Sequence, residues 1–264
     1  MIIISIINQK GGVGKTTTAL ELCSNLKGKV LAIDMDPQGS MTEASEVKFN
    51  GSQEVYSLKD VLDGTPVEKA IQHSNGYDLI AASKALANSA KMFTEADEVF
   101  ILDDILKQYM KAEYDYVVID SAPGRSPLLN MAYVASDYII IPLDADPDSL
   151  KGIDEVLDDI AKFKSHGMSH AKVLGSFIVA YEKTTVHELA NSEMKKKMES
   201  YGLQAFKTNI RKTVRVKEAK ILKMSLTRLA KEDRGVIKAK KDYEALTKEI
   251  LKRIKDDQEH NRED

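Results

Sequence analysis

Ile2-Ile3-Ile4-Ser5-Ile6-Ile7-Asn8-Gln9-Lys10-Gly11-Gly12-Val13-Gly14-Lys15-Thr16-Thr17-Thr18 is an aliphatic run that breaks into glycines and then into threonines. β-Branched side chains suit a strand covered on both faces, so residues 2–7 read as a buried strand. Three glycines within four positions follow. Lys15 and the threonines then open a segment with apolar residues at helical spacing: Ala19, Leu20, Leu22, Cys23 and Leu26. Strand, glycine loop and helix in that order make a cradle for phosphate. Glycines let backbone N–H groups turn inward, Lys15 can reach the β- and γ-phosphates of a nucleotide, and the start of a helix favours negative charge. Gly11, Gly12, Val13, Gly14, Lys15, Thr16 and Thr17 are therefore the candidate nucleotide-binding residues.

The general phosphate-loop pattern, G-x-x-x-x-G-K-[ST], asks for glycine at position 9, where this chain has Gln9, and a second lysine, Lys10, precedes Lys15 by five positions. The plainer alternative, a glycine-rich turn with a surface lysine, does not account for the flanking strand and helix. Lys10-Gly11-Gly12-Val13-Gly14-Lys15-Thr16 resembles the deviant Walker A motif of the ParA/MinD family of dimeric ATPases. The resemblance implies ATP as ligand, a homodimer formed with ATP, and Lys10 reaching across the dimer interface to the partner's nucleotide while Lys15 acts in cis.

Further strands are expected at residues 30–34, 77–82, 116–120, 138–142 and 173–181, with a short one near Phe206. Helices are expected at 15–27, 57–62, 99–110, 150–163, 187–201 and 243–254, and residues 40–52 read as a polar loop. Strands alternating with helices predict an α/β fold, a doubly wound, mostly parallel sheet flanked by helices, as in P-loop NTPases. No linker or repeat divides residues 1–264, which read as one domain.

Ligands of such sheets bind beyond the carboxyl ends of the strands. Three strands here end in chemistry: the first in the glycine loop, the second in Asp34 and Asp36, the third in Asp120. Asp120 fits the Walker B position, a carboxylate that steadies Mg2+ through water, and Thr16 supplies the metal's hydroxyl ligand. A turn-forming aspartate is the alternative for each acid. Asp34-Met35-Asp36-Pro37-Gln38-Gly39 resembles the D-x-D-P-Q-G segment of ParA-type ATPases. That likeness implies that Asp36 orients or activates the attacking water and that Asp34 supports the loop and the metal's surroundings, as phosphoryl transfer requires.

The resemblance extends over most of the chain, with departures. Asp120-Ser121-Ala122-Pro123-Gly124 has Ala122 in place of the first proline of D-x-P-P, loosening the segment that senses the γ-phosphate. Asp146 stands where relatives carry glutamate. In 208–219 Arg211 replaces the proline whose neighbourhood packs on the adenine, which makes Arg211 the base-side candidate.

From 207 to 228 the basic residues are Lys207, Arg211, Lys212, Arg215, Lys217, Lys220, Lys223 and Arg228, against the single acid Glu218. In a chain of net charge −3 this asymmetry suggests a phosphate-backbone footprint, the alternative being a solvated basic face. By resemblance Arg215 matches an arginine used for non-specific DNA binding by chromosomal ParA-like proteins, and Lys183 lies near a second such position. Lys212, Lys217 and Lys220 complete the candidate DNA-binding set. Contacts of this kind touch phosphates and are salt-dependent.

At 264 residues, 30% charged and 43% hydrophobic, the composition is that of an ordinary globular chain. One cysteine excludes an intrachain disulfide and argues against a relative of the nitrogenase iron protein, which needs paired cysteines. No apolar run reaches membrane-span length, and no signal peptide or helix-turn-helix domain precedes the glycine loop, so a cytoplasmic, nucleoid-associated protein is expected. The leading expectation is a DNA-partitioning ATPase with Mg2+ as cofactor and a ParB-like centromere-binding partner. Three alternatives stand beside it. A MinD-like positioning ATPase would need a terminal helix that lies on lipid, but the acidic 256–264 tail opposes anionic membranes. A metabolic P-loop ligase, such as a dethiobiotin or cobyrinate synthetase relative, would need a small-molecule pocket. A regulatory tyrosine kinase would need a tyrosine cluster in its tail.

Overall fold

The computed structural model describes residues 1–45, 55–74, 76–110, 112–222, 224–232 and 236–263. Its centre is a seven-stranded sheet in the order β3-β4-β2-β5-β1-β6-β7. The strands are β1 Ile2–Ile6, β2 Val30–Asp34, β3 Ile71–His73, β4 Asp78–Ile80, β5 Tyr116–Asp120, β6 Tyr138–Leu143 and β7 Lys172–Ile178. All pairings are parallel except β3 with β4. The doubly wound, mostly parallel sheet expected from the sequence is therefore present.

Alternate residues of each strand feed two separate apolar layers, as the two-residue period of a strand dictates. Ile3, Ile33, Val117, Ile119, Ile139 and Ile141 face α3 (Leu58–Leu62), α5 (Ile101–Ile105), α6 (Pro127–Ala135), α7 (Lys151–Ser165) and the buried side of α8 (Thr185–Ser200). Ile4, Ile6, Ala32, Val118, Ile140 and Phe177 face α1 (Lys15–Asn25), α10 (Leu226–Glu232) and α11 (Ile237–Glu263), together with Met41 of α2 (Ser40–Ala44) and Ala219 of α9 (Val214–Ile221). Both faces are covered, which is why these strands read as unbroken aliphatic runs. The short α4 (Ser89–Met92) completes the helices, and α5 continues as a π-helical turn, Leu106–Met110.

Several boundaries differ from the sequence reading. Helix α1 stops at Asn25, and β7 stops at Ile178 because Ala180 turns the chain with φ 53. Residues near Phe206 form no strand among the described residues. Phe206 and Ile210 each donate a backbone bond to β7, at Ser176 (2.8 Å) and Ile178 (2.9 Å). Just before Phe206, the carbonyls of Gln204 and Ala205 accept from the Arg253 guanidinium, at 2.6 and 2.7 Å. The 40–52 segment, read as loop, begins with α2; residues 46–52 lie outside the described residues. Helix α6 was not expected, although Ser126 caps it by accepting from the Leu129 N–H at 3.2 Å and Pro127 opens it, a standard start signal.

Candidate active site at the carboxyl edge of the sheet

β1 lies between β5 and β6, and the register pairs Asp120 with both Ile6 and Asp34, so the ends of three strands sit side by side. The glycine loop leaves β1 at this edge. Gly12 and Gly14 hold φ values of 81 and 79, open to glycine at little cost. A Cβ at Gly14 would also come within 3.2 Å of Val179. Helix α1 starts at Lys15 with no side-chain cap and no acid in its first turn, leaving its N-terminal amides for an anion. Lys15 is buried and donates to the Lys10 carbonyl at 3.0 Å. Burial holds its pKa below the ordinary lysine value, against the opposing pull of Asp120 and Asp36.

The three acids are not equivalent. Asp34 is buried but satisfied, accepting from the Thr42 N–H (2.8 Å), the Thr42 hydroxyl (2.7 Å) and the Asp36 N–H (3.1 Å). It thereby anchors α2 to β2, and burial raises its pKa despite those bonds. Asp36 is partly exposed and caps its own turn by accepting from the Gln38 N–H at 2.9 Å. Asp120 is fully buried, and neither carboxylate oxygen has a hydrogen-bond partner among the described residues. Burial and the neighbouring Asp34 push its pKa well up. The Thr16 hydroxyl, close by but short of hydrogen-bond geometry, and Lys15 oppose that rise.

A buried carboxylate without donors is costly unless a cation or a water shell completes it. Asp120 beside Thr16 fits a divalent ion held partly by phosphate and water, as Mg2+ prefers. Among the described residues there is no cluster of three or more His, Cys, Asp or Glu side chains of the kind that cages a metal by protein alone.

Lys10 is engaged within its own chain. Its ammonium bonds the Asp146 carboxylate, reaches Ser149 Oγ at 3.0 Å and lies 3.6 Å from Asp144. Hydrogen bonding to Asp146 raises the Lys10 pKa and lowers that of Asp146. Behind it, the Lys10 N–H donates to Asn8 Oδ1 at 2.8 Å, and the Asn8 amide donates to the Pro142 carbonyl at 2.8 Å. Asp144 and Ser149 were not read from the sequence, since nothing local marks residues that meet Lys10 from 134 and 139 positions away.

Three residues of the basic run are paired within the chain. Arg211 makes a two-pronged ion pair with Asp242 of α11, at 2.5 and 2.6 Å. Arg215 bonds Glu218 at 2.7 Å and Lys212 bonds Glu182 at 2.8 Å. Lys183 is exposed. Lys217 and Lys220 lie on α9 with side chains outside the described residues, and Lys223 is outside them altogether. The run is tied to the phosphate cradle by Glu21 of α1. This fully buried acid accepts from the Leu226 N–H at 2.5 Å, the Thr227 hydroxyl at 2.8 Å and the Thr227 N–H at 3.4 Å, at the start of α10. A cleft of 480 Å³ elsewhere, lined by Val61, Pro66, Ile101 and Tyr109 among others, contains none of the site residues.

No helix among the described residues is long and apolar enough to cross a membrane. Residues 1–173 match the family described as AAA domain. The chromosome-partitioning ATPase Soj of Thermus thermophilus is 28% identical over 96% of each chain. The sporulation initiation inhibitor protein Soj of Bacillus subtilis is 32% identical over 82% of this chain and 87% of its own. Among solved structures, the ATP complex of a McdA variant from Cyanothece shares the fold, with a TM-score of 0.82 at 23% identity over 95% of this chain and 96% of the other.

Proposed function

The chain belongs to the ParA/Soj-type ATPases of the AAA domain family, and from that premise we propose that it is a DNA-partitioning ATPase, assembled by ATP into a sandwich dimer. The observation that carries the dimer is Lys10. A second cradle lysine whose ammonium is held on Asp146 and Ser149, away from Lys15, is free to serve another chain's phosphates once released. Within each chain Lys15 and the amides at the start of α1 bind phosphate, and Asp36 orients the attacking water. Thr16 and Asp120 would hold Mg2+, which supplies charge neutralisation at the phosphates. Arg211 flanks the base side.

Arg215, Lys183, Lys212, Lys217 and Lys220 give the dimer a surface for DNA phosphates without sequence preference. The tie from α1 through Glu21 to α10, next to α9, supports a dependence of that surface on nucleotide. Hydrolysis is slow until a ParB-like partner stimulates it and releases the DNA, and the protein acts in the cytoplasm on the nucleoid. Against a lipid-binding role, Tyr243, Leu246, Ile250 and Ile254 of α11 are buried in the core, so the apolar stripe of that helix is already used.

The test is DNA binding with ATP, with ADP and without nucleotide across a salt series, with liposome sedimentation in parallel. ATP-only binding that weakens steeply with salt is the expected result. Binding indifferent to nucleotide, or ATP-dependent sedimentation with liposomes in place of DNA, rejects the reading.

A further inference from the structure

Asp159, on the buried side of α7, accepts two hydrogen bonds that no property of α7 itself requires. The Gln9 side-chain amide donates to one carboxylate oxygen at 2.9 Å, and Arg125 donates to the other at 3.2 Å. Gln9 is the residue that stands where the general phosphate-loop pattern has glycine, and Arg125 closes the loop that carries the chain from Asp120 to α6. The two segments also meet directly. The Gly124 N–H donates to the Gln9 carbonyl at 2.8 Å, and a Cβ on Gly11 would lie 3.9 Å from Pro123. Gln9 is thus held at its backbone by one loop and at its side chain by α7, and Asp159 joins both loops to that helix by hydrogen bonds.

We propose that Asp159 is a positioning residue for ATP hydrolysis, clamping the β5–α6 loop against the phosphate cradle through Arg125 and Gln9. The need for a clamp lies in the loop's composition. It contains Ala122 and Gly124, the latter at φ 75, and so is freer in backbone than a loop with two successive prolines. Arg125 is 63% exposed, and an ion pair so open is weak by itself. Asp159 is only 12% exposed, however, and the Gln9 amide fixes its carboxylate in place, so the arginine meets a pre-oriented acceptor. The clamp holds two loops in register. Asp120 lies at the root of one, and Lys10 and Lys15 lie on the other. The consequence falls on the geometry of the reacting groups and not on the affinity of the cradle for phosphate.

The role given to Asp159 rests on the ATPase activity alone and not on DNA, membrane or partner. Steady-state ATP hydrolysis by Asp159→Ala, Asp159→Asn, Arg125→Ala and the Asp159→Ala/Arg125→Ala pair separates it from a merely structural role. Asp159→Ala should lower kcat about tenfold with KM and ATP binding within about twofold, the signature of lost positioning. The double variant should be no slower than Asp159→Ala, because both changes break one clamp. Asp159→Asn keeps an acceptor for the Gln9 amide but loses the charge that Arg125 pairs with, so it should match Arg125→Ala. An unchanged kcat in Asp159→Ala, additive losses in the pair, or a loss confined to KM overturns the proposal. If Asp159→Ala does not fold, the exposed Arg125→Ala and the near-isosteric Asp159→Asn decide the matter, and unchanged turnover in both overturns it.

Discussion

Lys10 and Lys15 are five positions apart on one loop and hold different kinds of partner. Lys15 is buried at the start of α1, where the Lys10 carbonyl accepts its hydrogen bond and Asp120 and Asp36 supply the nearest negative field. Lys10 faces Asp144, Asp146 and Ser149, which keep it charged and fixed until something competes for it. A lysine inside its own cradle contributes to binding, whereas one delivered from outside contributes to the transition state, as an arginine finger does. Lys15→Ala should therefore abolish ATP binding in a fluorescent-nucleotide titration. Lys10→Ala should bind ATP with little change and lose at least about a hundredfold in turnover. Normal turnover in Lys10→Ala would remove the in-trans role. Asp120 belongs to the same scale. Chelating Mg2+ from the wild-type protein should stop hydrolysis, and Asp120→Ala should raise the Mg2+ concentration needed for half-maximal rate; an unchanged requirement would place the metal elsewhere.

At the scale of elements, α1 does more than present phosphate-binding amides. Glu21, in its middle, is the only described side chain that hydrogen-bonds it to the backbone N–H groups opening α10, and burial pushes the Glu21 pKa up to about 7 from 4.5. An acid whose folded value is raised binds its proton more tightly in the native state than in the unfolded chain. Its contribution is complete below the unfolded value and is lost as pH rises through the folded one. Stability should accordingly fall between about pH 4.5 and 7, by up to about 3 kcal/mol from this group. Glu21→Gln keeps an acceptor for the two N–H groups and can donate to the Thr227 hydroxyl, so it should flatten that fall and be the more stable form at pH 8. Asp34 titrates in the same direction, so the measurement is the difference between wild type and variant in denaturant melts at pH 5 and pH 8. Equal pH dependence in the two proteins would show that Glu21 does not carry it.

On the scale of the whole molecule, a chain of net charge −3 has its basic run on and around α9, so the DNA binding proposed for it would be local and screened by salt. Because Arg215 and Lys212 are paired with Glu218 and Glu182, DNA phosphates would have to replace intramolecular partners. Arg215→Glu should leave ATP affinity intact and remove ATP-dependent DNA retention at 0.1–0.2 M salt, roughly the range where such contacts dominate. DNA binding indifferent to this change would move the interface elsewhere. The central strands were legible because residues covered on both faces must be aliphatic throughout. The edge strand β3 and the short α2 were not, because β3 is partly exposed and α2 depends on Asp34 receiving Thr42 from eight positions away. By itself the sequence determined the phosphate cradle, its two lysines and the acids closing β2 and β5, since strand, glycine turn and helix start are contiguous and each follows from local backbone preference. Only the tertiary structure decided which carboxylate each charge meets: Asp146 for Lys10, Asp159 for Gln9 and Arg125, the start of α10 for Glu21. Those partners are brought together from 34 to 206 positions apart by the packing of helices on the sheet, and a hydrogen bond depends on distance in space, which residue spacing along the chain does not encode.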